Sequence, residues 1–202
     1  MDTFAAIEQR RSVKKFDSAH TMTDDEVTRL MEAAILSPTS FNIQNWRFVV
    51  ITDQAQKDAV KAAGWQQAQF SDCSAIVLVC GDTQAHGKDT ERYWRNADEK
   101  TRGMIVPMIV GAYDGKDALQ RDEVMRSGGM ASQTIMLAAK AMGYDSCPMI
   151  GFDHEAVAEL VNLPQDHVIG PMVAIGKGTK APWPKGGQLP LSEVVIRDRF
   201  PG

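Results

Sequence analysis

The sequence predicts a single α+β domain over residues 1–202, because short helical and strand patterns alternate along the chain without regular βαβ units. Three observations support this prediction: a capped amphipathic helix near the start, an apolar run at 75–80, and a long helical pattern at 117–142. A chain of 202 residues, 44% apolar and 24% charged, is long enough to bury a core without a disulfide or a metal.

The first half of the chain contains the clearest local signals. Thr23 and Glu26 form a typical capping box, and apolar residues then recur at helical spacing until Ser37-Pro38. The apolar run at 75–80 is typical of a strand buried on both faces. The predicted elements are, in order, a helix at 3–9 with Phe4 and Ile7 on one face, a helix from 24 to 35, a strand at 46–52, a helix at 54–63 capped by Asp53, and the strand at 75–80.

The second half alternates polar and apolar segments. Residues 82–103 are charge-rich, so we expect a solvated helix or excursion rather than core. Gly143 stands where a left-handed residue would end the long helix. A strand at 145–149, a helix at 153–161, a strand at 168–175 and an extended stretch at 193–196 are expected to follow. The tail from residue 179 is rich in Pro, Gly and Lys, and we expect it to pack on a neighbour, such as another subunit.

Composition excludes several classes of function. A net charge of −4 argues against a protein that covers nucleic-acid phosphates, and no apolar run reaches the roughly 18 residues of a membrane span. The N-terminus lacks the pattern of a signal peptide, and three cysteines without a C-x-x-C pair suit a reducing compartment, so a cytoplasmic location is expected.

The four histidines lack paired ligand spacing, so no metal site is predicted. Residues 176–181 match G-x-G-x-x-A, but Pro182 forbids the helix that a Rossmann site needs.

Three segments could bind a ligand, and each also has a purely structural interpretation. The basic run at 10–15 could hold a phosphate dianion or could be a solvated patch. The loop at 37–46 is dense in hydroxyls and amides, which could contact the edge of a polar heterocycle or could simply form turns. Pro148 and Gly151 bracket backbone that could lie flat against a ligand ring, or could connect a strand to a helix capped by Asp153.

Taken together and in this order, these segments resemble the nitroreductase family of flavin enzymes. The resemblance covers nearly the whole chain and rests on an R-x-S-x-K start, an S-P-[ST]-S-x-N-x-Q-x-W loop, a P-x-x-G-F-[DN] turn and an L-P-L tail. It implies a nitroreductase-like fold with a central, mainly antiparallel sheet flanked by helices. It also implies a homodimer that holds FMN at the subunit interface and exchanges its C-terminal segments.

The resemblance also assigns cofactor-binding residues by position. The flavin phosphate and ring would be bound by Arg10, Ser12 and Lys14, with Arg11 in a more variable place. The FMN held mainly by the other subunit would be contacted by Pro38, Thr39, Ser40 and Asn42. The polar edge of the ring would meet Gln66 and Gln69, and its face would meet Pro148, Ile150 and Gly151. Gln188 replaces the basic residue that many members carry before the Leu-Pro of the tail, and Lys185 or Lys177 could substitute for it.

The implied activity is reduction of a nitroaromatic, quinone or similar small molecule with hydride from NADH or NADPH, in a ping-pong reaction. No catalytic side chain is expected, because the flavin performs the chemistry and the protein binds and orients it. The stretch 82–125 is expected to form the pocket rim and to select the acceptor. Alternatives are other flavin chemistry (reductive dehalogenation or flavin breakdown), a non-catalytic flavin-binding redox sensor, and a cofactor-free interaction module.

Overall fold

The computed structural model describes residues 1–200 and is built around a four-stranded antiparallel sheet with helices on both faces. The spatial order of its strands is β1-β2-β4-β3, and each neighbouring pair is antiparallel. The strands are β1 (Trp46–Ile51), β2 (Ala75–Asp82), β3 (Asp145–Met149) and β4 (His167–Gly176). The predicted α+β class with a mainly antiparallel sheet is therefore confirmed.

Helices of very different length surround the sheet. They are α1 (Thr3–Gln9), α2 (Asp24–Ala34), α3 (Gln54–Ala63), α4 (Ala68–Asp72), α5 (Glu99–Tyr113), α6 (Asp117–Ala141), α7 (His154–Leu160) and α8 (Leu191–Val194). The capping box at α2 forms as predicted, with Thr23 and Glu26 each accepting from the other's backbone N–H. Gly143 adopts φ +81° just after α6, the left-handed conformation predicted for it. Within residues 1–200 no helix is both long and apolar enough to cross a bilayer.

Strand β2 is the centre of the core, since all eight of its residues are buried. On one face Ile76 and Leu78 pack with apolar side chains of α3, α4 and α7. On the other face Val77 and Val79 pack with α2 and α6. Alternate residues of one strand thus bury against opposite helical layers, as the uninterrupted apolar run predicted.

The prediction that 82–103 is a solvated helix or excursion rather than core is partly wrong. Tyr93 is only 7% exposed and packs with Ile43, Ile109 and Tyr113 in a small separate core. Helix α5, which the sequence analysis did not predict, supplies two of these residues. Helix α5 contains Pro107 and two glycines, which lower its helix propensity, so the sequence pattern does not indicate a helix there. The buried face of α5 is recognisable only in the folded structure.

The tail also differs from its prediction. The extended stretch expected at 193–196 is wrong at its start, because Leu191–Val194 forms one helical turn directly after Pro190. Proline is favourable just before or at the first position of a helix, since its fixed φ suits the helix and it lacks only an N–H that would be unpaired there. Apart from Pro182, every residue from 179 to 200 is exposed. The tail therefore buries almost nothing against its own chain.

Candidate functional site

A groove of about 360 Å³ lies between the N-terminal basic segment and the tail. It is lined by Ile7, Arg10, Arg11, Ser12, Lys14, Trp183, Pro184, Lys185, Gly186, Gly187 and Gln188. Six of the predicted site residues meet here, from opposite ends of the chain: Arg10, Arg11, Ser12, Lys14, Lys185 and Gln188. Lys177, the other cation considered for the tail position, instead donates to the Gly143 carbonyl oxygen at 2.7 Å and lies over the Tyr144 ring.

Backbone pairing holds the basic segment along the edge of the sheet. Ser12 forms a parallel bridge to Ser146 of β3, and the Val13 N–H donates to the Ser146 carbonyl oxygen at 3.0 Å. Val13 and Phe16 point inward and are 2% and 5% exposed. Because these apolar residues are buried, Ser12 and Lys14 face the groove.

Two contacts from the basic segment and α1 hold the tail over the groove. The Arg11 guanidinium donates to the carbonyl oxygen of Trp183. The Lys185 ammonium donates to the Glu8 carbonyl oxygen at 3.2 Å. The tail forms the second wall of the groove, and these side-chain contacts, rather than apolar packing, hold it there.

The groove has the charge and the unpaired donor of an anion site. It is lined by four cations, Arg10, Arg11, Lys14 and Lys185, and no acidic side chain is among the lining residues within 1–200. The Arg10 Nη1 atom is buried, yet it has no hydrogen-bond acceptor among the described residues. A buried guanidinium nitrogen without a partner is costly, and a phosphate oxygen is the acceptor that matches it best. The residues present therefore fit the phosphate of a flavin nucleotide.

The end of β3 leads to a surface where apolar residues are exposed. Cys147 is buried, and burial raises the pKa of its thiol while the nearby charges of Lys14 and Arg10 oppose that rise. Pro148 and Ile150 alternate with the buried residues and face outward, and Ile150 is 75% exposed. Proline is tolerated here because β3 is an edge strand of the sheet. The basic groove and this exposed surface are thus consecutive along one strand.

Trp65 and Gln67 support the turn at Gly151, and neither residue was singled out by the sequence analysis. The Gln67 side-chain amide donates to the Gly151 carbonyl oxygen at 2.8 Å. A Cβ atom added at Gly151 would lie 3.2 Å from Trp65 Cζ3, so glycine allows the indole to approach closely. Trp65 is itself 68% exposed and has φ +54°, beside Gln66 at +60°. The feature that distinguishes this turn is its two adjacent residues in the left-handed conformation, which a sequence pattern does not reveal.

Gln66 and Gln69, the predicted contacts for the ring edge, remain predictions. Gln66 is exposed in the same turn as Trp65, whereas Gln69 is buried in α4 and only 8% exposed. The glutamine that contacts the Gly151 turn in this chain is Gln67.

The loop containing Pro38, Thr39, Ser40 and Asn42 does not line the groove of its own chain. It is held to the segment before α5, because the Asn42 side-chain amide donates to the Tyr93 carbonyl oxygen at 2.7 Å and the Trp94 indole donates to the Phe41 carbonyl oxygen at 2.9 Å. Within the loop, the Thr39 hydroxyl accepts from the Gln44 N–H at 3.0 Å. Contact between this loop and the FMN of another subunit remains a prediction.

One acidic cluster has the composition of a metal site, but a lysine already pairs with it. Asp82, Asp166 and His167 have ligand atoms within 4.8 Å of one another. The Lys88 ammonium lies 2.8 Å from Asp82 Oδ1 and 2.5 Å from Asp166 Oδ2. The hydrogen bond from Lys88, followed by that with His167, lowers the pKa of Asp166 to about 2. Lys88 therefore already occupies the position between the two carboxylates that a cation would take.

Comparison with known sequences agrees with this geometry. The sequence model described as "Nitroreductase family" matches residues 7–177. The chain belongs to the nitroreductase family. It is 54% identical over 200 residues to the protein DrgA of Synechocystis, with 96% of this chain and 95% of that protein covered. It is 28% identical to the oxygen-insensitive NADPH nitroreductase of Helicobacter pylori, with 85% of each chain covered.

Solved nitroreductase structures share the complete fold. The crystal structure of the candidate nitroreductase ydfN from Bacillus subtilis aligns with a TM-score of 0.90 at 31% identity and covers 96% of this chain and 97% of that chain. A candidate nitroreductase from Exiguobacterium sibiricum, crystallised in complex with FMN, aligns with a TM-score of 0.89 at 29% identity over 97% of each chain. The match extends through the tail as well as the sheet.

Proposed function

We propose that this nitroreductase-family protein is an FMN-dependent oxidoreductase. It takes hydride from NADH or NADPH and reduces a nitroaromatic, a quinone or a similar small molecule by a ping-pong mechanism. The single observation that supports this most is the buried Arg10 Nη1 without an acceptor, in a groove with four cations and no acidic lining residue within 1–200. The FMN-bound relative from Exiguobacterium sibiricum and the NADPH nitroreductase of Helicobacter pylori support the cofactor and the donor.

The phosphate of FMN is assigned to the cationic groove. Arg10 and Lys14 supply positive charge from the edge of the sheet, while Lys185 supplies it from the tail. Charge-assisted hydrogen bonds of this kind are about twice as strong as neutral ones. Lys185, which lines the groove beside Gln188, thereby provides the cation that the tail lacks at position 188.

The flavin ring is assigned to the exposed surface at the end of β3. Ile150 offers an apolar face there, and the neighbouring Gly151 lets the Trp65 indole close against the turn. Gln67 fixes the Gly151 carbonyl group by its hydrogen bond, so the turn is already in place before a ligand binds. When bound, FMN would supply the acceptance and donation of hydride, and the proton that the acceptor also takes up would come from solvent.

We further propose a homodimer in which each tail packs on the partner. Trp183, Leu189 and Leu191 are 83%, 65% and 75% exposed, and on α1 Phe4 is 78% exposed. Apolar surface of this extent is typical of an unfilled interface. In such a dimer the loop at 38–42, which does not reach the groove of its own chain, would be available to the cofactor of the other subunit.

Purification and flavin extraction test the proposal first. We expect a yellow protein whose extracted flavin is FMN, and NAD(P)H oxidation that depends on an added nitroaromatic or quinone. Failure to bind FMN would reject the proposed function. FMN binding without NAD(P)H turnover would instead identify a redox sensor, and turnover that releases halide or degrades flavin would identify a relative with other chemistry.

A further inference from the structure

A second basic pocket, of about 280 Å³, lies where β1 begins and the segment before α5 passes over it. Its lining residues are Gln44, Trp46, Arg47, Arg92, Tyr93 and Arg95. Three of these six are arginines, and none of the lining residues within the described chain is acidic. This pocket shares no lining residue with the groove assigned to the FMN phosphate.

Two of the arginines are held in place by their neighbours. Arg47 Nη1 donates to the carbonyl oxygens of Gln44 and Trp46, both at 2.8 Å, which fixes the guanidinium at the start of the strand. The Arg92 guanidinium lies over the Tyr93 ring, 4.8 Å from its centroid, and donates to the Tyr93 hydroxyl at 2.8 Å. A guanidinium held in this way loses little conformational entropy when it binds an anion.

Charge in the pocket is only partly balanced. Arg47 Nη2 lies 3.6 Å from Asp82 Oδ2, but that carboxylate also pairs with Lys88. Arg95 is exposed and forms no ion pair with residues 1–200. The pocket therefore keeps a net positive charge.

Trp46, which lines the pocket, also carries a buried donor without an acceptor. Trp46 is 7% exposed, and its indole Nε1 is buried without a hydrogen-bond partner among the described residues. Buried N–H groups are nearly always paired, so this one points to an acceptor that the chain alone does not supply. Fixed arginines and an unpaired N–H together match the oxygens of a phosphate group.

The pocket's position indicates which phosphate it would bind. It adjoins the loop at 38–42 through the hydrogen bond from Asn42 to the Tyr93 carbonyl oxygen at 2.7 Å. That loop is the one assigned above to the FMN of the other subunit, so the pocket lies beside the proposed active site but apart from the FMN phosphate groove. The two electron donors NADH and NADPH differ by one phosphate, at the 2′ position of the adenosine.

We propose that the pocket formed by Arg47, Arg92 and Arg95 binds the 2′-phosphate of NADPH and makes NADPH the preferred electron donor. This inference rests on the proposed function, since it assumes that a nicotinamide nucleotide uses this active site. The inference names NADPH as the donor, whereas the FMN groove and the family membership are compatible with either NADH or NADPH.

Substitution of the two exposed arginines tests this directly. We expect Arg95→Ala to lower kcat/KM for NADPH about tenfold, because one charge-assisted phosphate contact is lost, and to leave kcat/KM for NADH unchanged. Arg92→Gln should act in the same direction. The matched control is Arg29→Ala, because Arg29 is exposed on α2, outside the residues lining this pocket.

A binding measurement gives a readout that does not depend on turnover. Adenosine 2′,5′-bisphosphate and 5′-AMP differ only in the 2′-phosphate, and both can be titrated into the FMN-loaded protein by calorimetry. We expect the bisphosphate to bind about tenfold more tightly to the unmodified protein, and we expect this difference to disappear in Arg95→Ala. Equal affinity for the two nucleotides in the unmodified protein would overturn the proposal.

The other outcomes separate this inference from the proposed function. If Arg95→Ala lowered kcat/KM equally with NADPH and NADH, the 2′-phosphate assignment would be overturned while the oxidoreductase activity stands. The same holds if kcat/KM fell only when the electron acceptor carries a carboxylate, because the pocket would then bind the acceptor. Absence of FMN binding, or of turnover with either donor, would instead reject the proposed function itself. Flavin content should be unchanged in Arg95→Ala, which shows that the variant is folded and loaded.

Discussion

Strand β2 and the tail are opposite extremes of packing in the same chain. All eight residues of β2 are buried, whereas residues 179–200 are exposed except for Pro182. The proposed FMN groove has one wall of each kind: the basic segment is paired with β3, whereas the tail is held by the side chains of Arg11 and Lys185 and by the backbone hydrogen bond from Thr179 to Lys15. Fold stability and cofactor affinity should therefore depend on different residues.

The largest effect on stability is expected in the sheet. Leu78 of β2 is fully buried against the helices on one face of the sheet. We expect Leu78→Ala to lower the free energy of unfolding by about 2–5 kcal/mol, because it leaves a cavity that the close-packed core cannot fill. Urea denaturation measures this change. A loss below about 1 kcal/mol would show that the core tolerates the cavity, and would remove the contrast with the tail.

The next largest effect is expected on cofactor binding without loss of fold. Arg10→Ala should weaken FMN binding by about 1.5–3 kcal/mol, or roughly 10- to 150-fold, since a charge-assisted phosphate contact disappears. The unfolding free energy of the FMN-free protein should not fall, because Arg10 Nη1 has no acceptor in the described chain.

Lys15→Ala is the matched control for Arg10→Ala. Lys15 is an exposed cation in the same basic segment, but it does not line the groove. FMN fluorescence titration compares the two variants. Equal affinity in both, or a large loss of stability in Arg10→Ala alone, would contradict the assignment of the phosphate to this groove.

A smaller, pH-dependent effect is expected where the end of the sheet meets the segment before α5. Hydrogen bonds from Lys88 and His167 hold the folded-state pKa of Asp166 at about 2, below its ordinary value of 3.8. A carboxyl group whose folded pKa is lowered stabilises the protein above the unfolded pKa, and this contribution is lost as pH falls through the folded value.

Asp166→Asn should therefore reduce the dependence of Tm on pH between about 4 and 2, with a modest loss of Tm at neutral pH because the group is partly exposed. Glu193→Gln in the tail is the control, since Glu193 is an exposed carboxylate outside the sheet. Parallel Tm–pH profiles of the Asp166→Asn variant and the unmodified protein would contradict the role of this ion cluster.

The smallest effect on the isolated chain is expected in the tail. Leu191 is 75% exposed, so Leu191→Ala should change the unfolding free energy of dilute protein by no more than about 0.5 kcal/mol. If the tail packs on a partner, the same substitution should weaken the dimer, and analytical ultracentrifugation over a range of concentrations would detect this. A loss of stability at every concentration, as large as that of Leu78→Ala, would mean that the tail packs on its own chain.

The sequence predicted best the elements that depend on local pattern. The buried run of β2, the capping box at Thr23 and the left-handed Gly143 each need only a few neighbouring residues to form. Helix α5 escaped prediction because Pro107 and its glycines lower helix propensity, and its burial comes from contacts such as Ile109 with Tyr93, in a separate segment. The turn of α8 was missed for a different reason, since four residues are too few to show a helical periodicity.

The candidate site shows the same division. The basic segment was predicted from a motif, and Lys185 was one of two cations expected to replace the basic residue missing at Gln188; the structure brings Arg10 and Lys185 to one groove. Trp65 and Gln67 were not predicted, because their importance comes from a left-handed turn packed against Gly151. Likewise, no motif marks the pocket of Arg47, Arg92 and Arg95, which only tertiary structure brings together.

The most direct test of the central claim is to titrate the FMN-free protein with FMN and with riboflavin, which lacks only the phosphate. If the groove between Arg10 and Lys185 binds that phosphate, FMN should bind about 100-fold more tightly than riboflavin, and Arg10→Ala should remove most of the difference. Equal affinity for the two flavins would contradict the account, because the cations of the groove would then have no part in holding the cofactor.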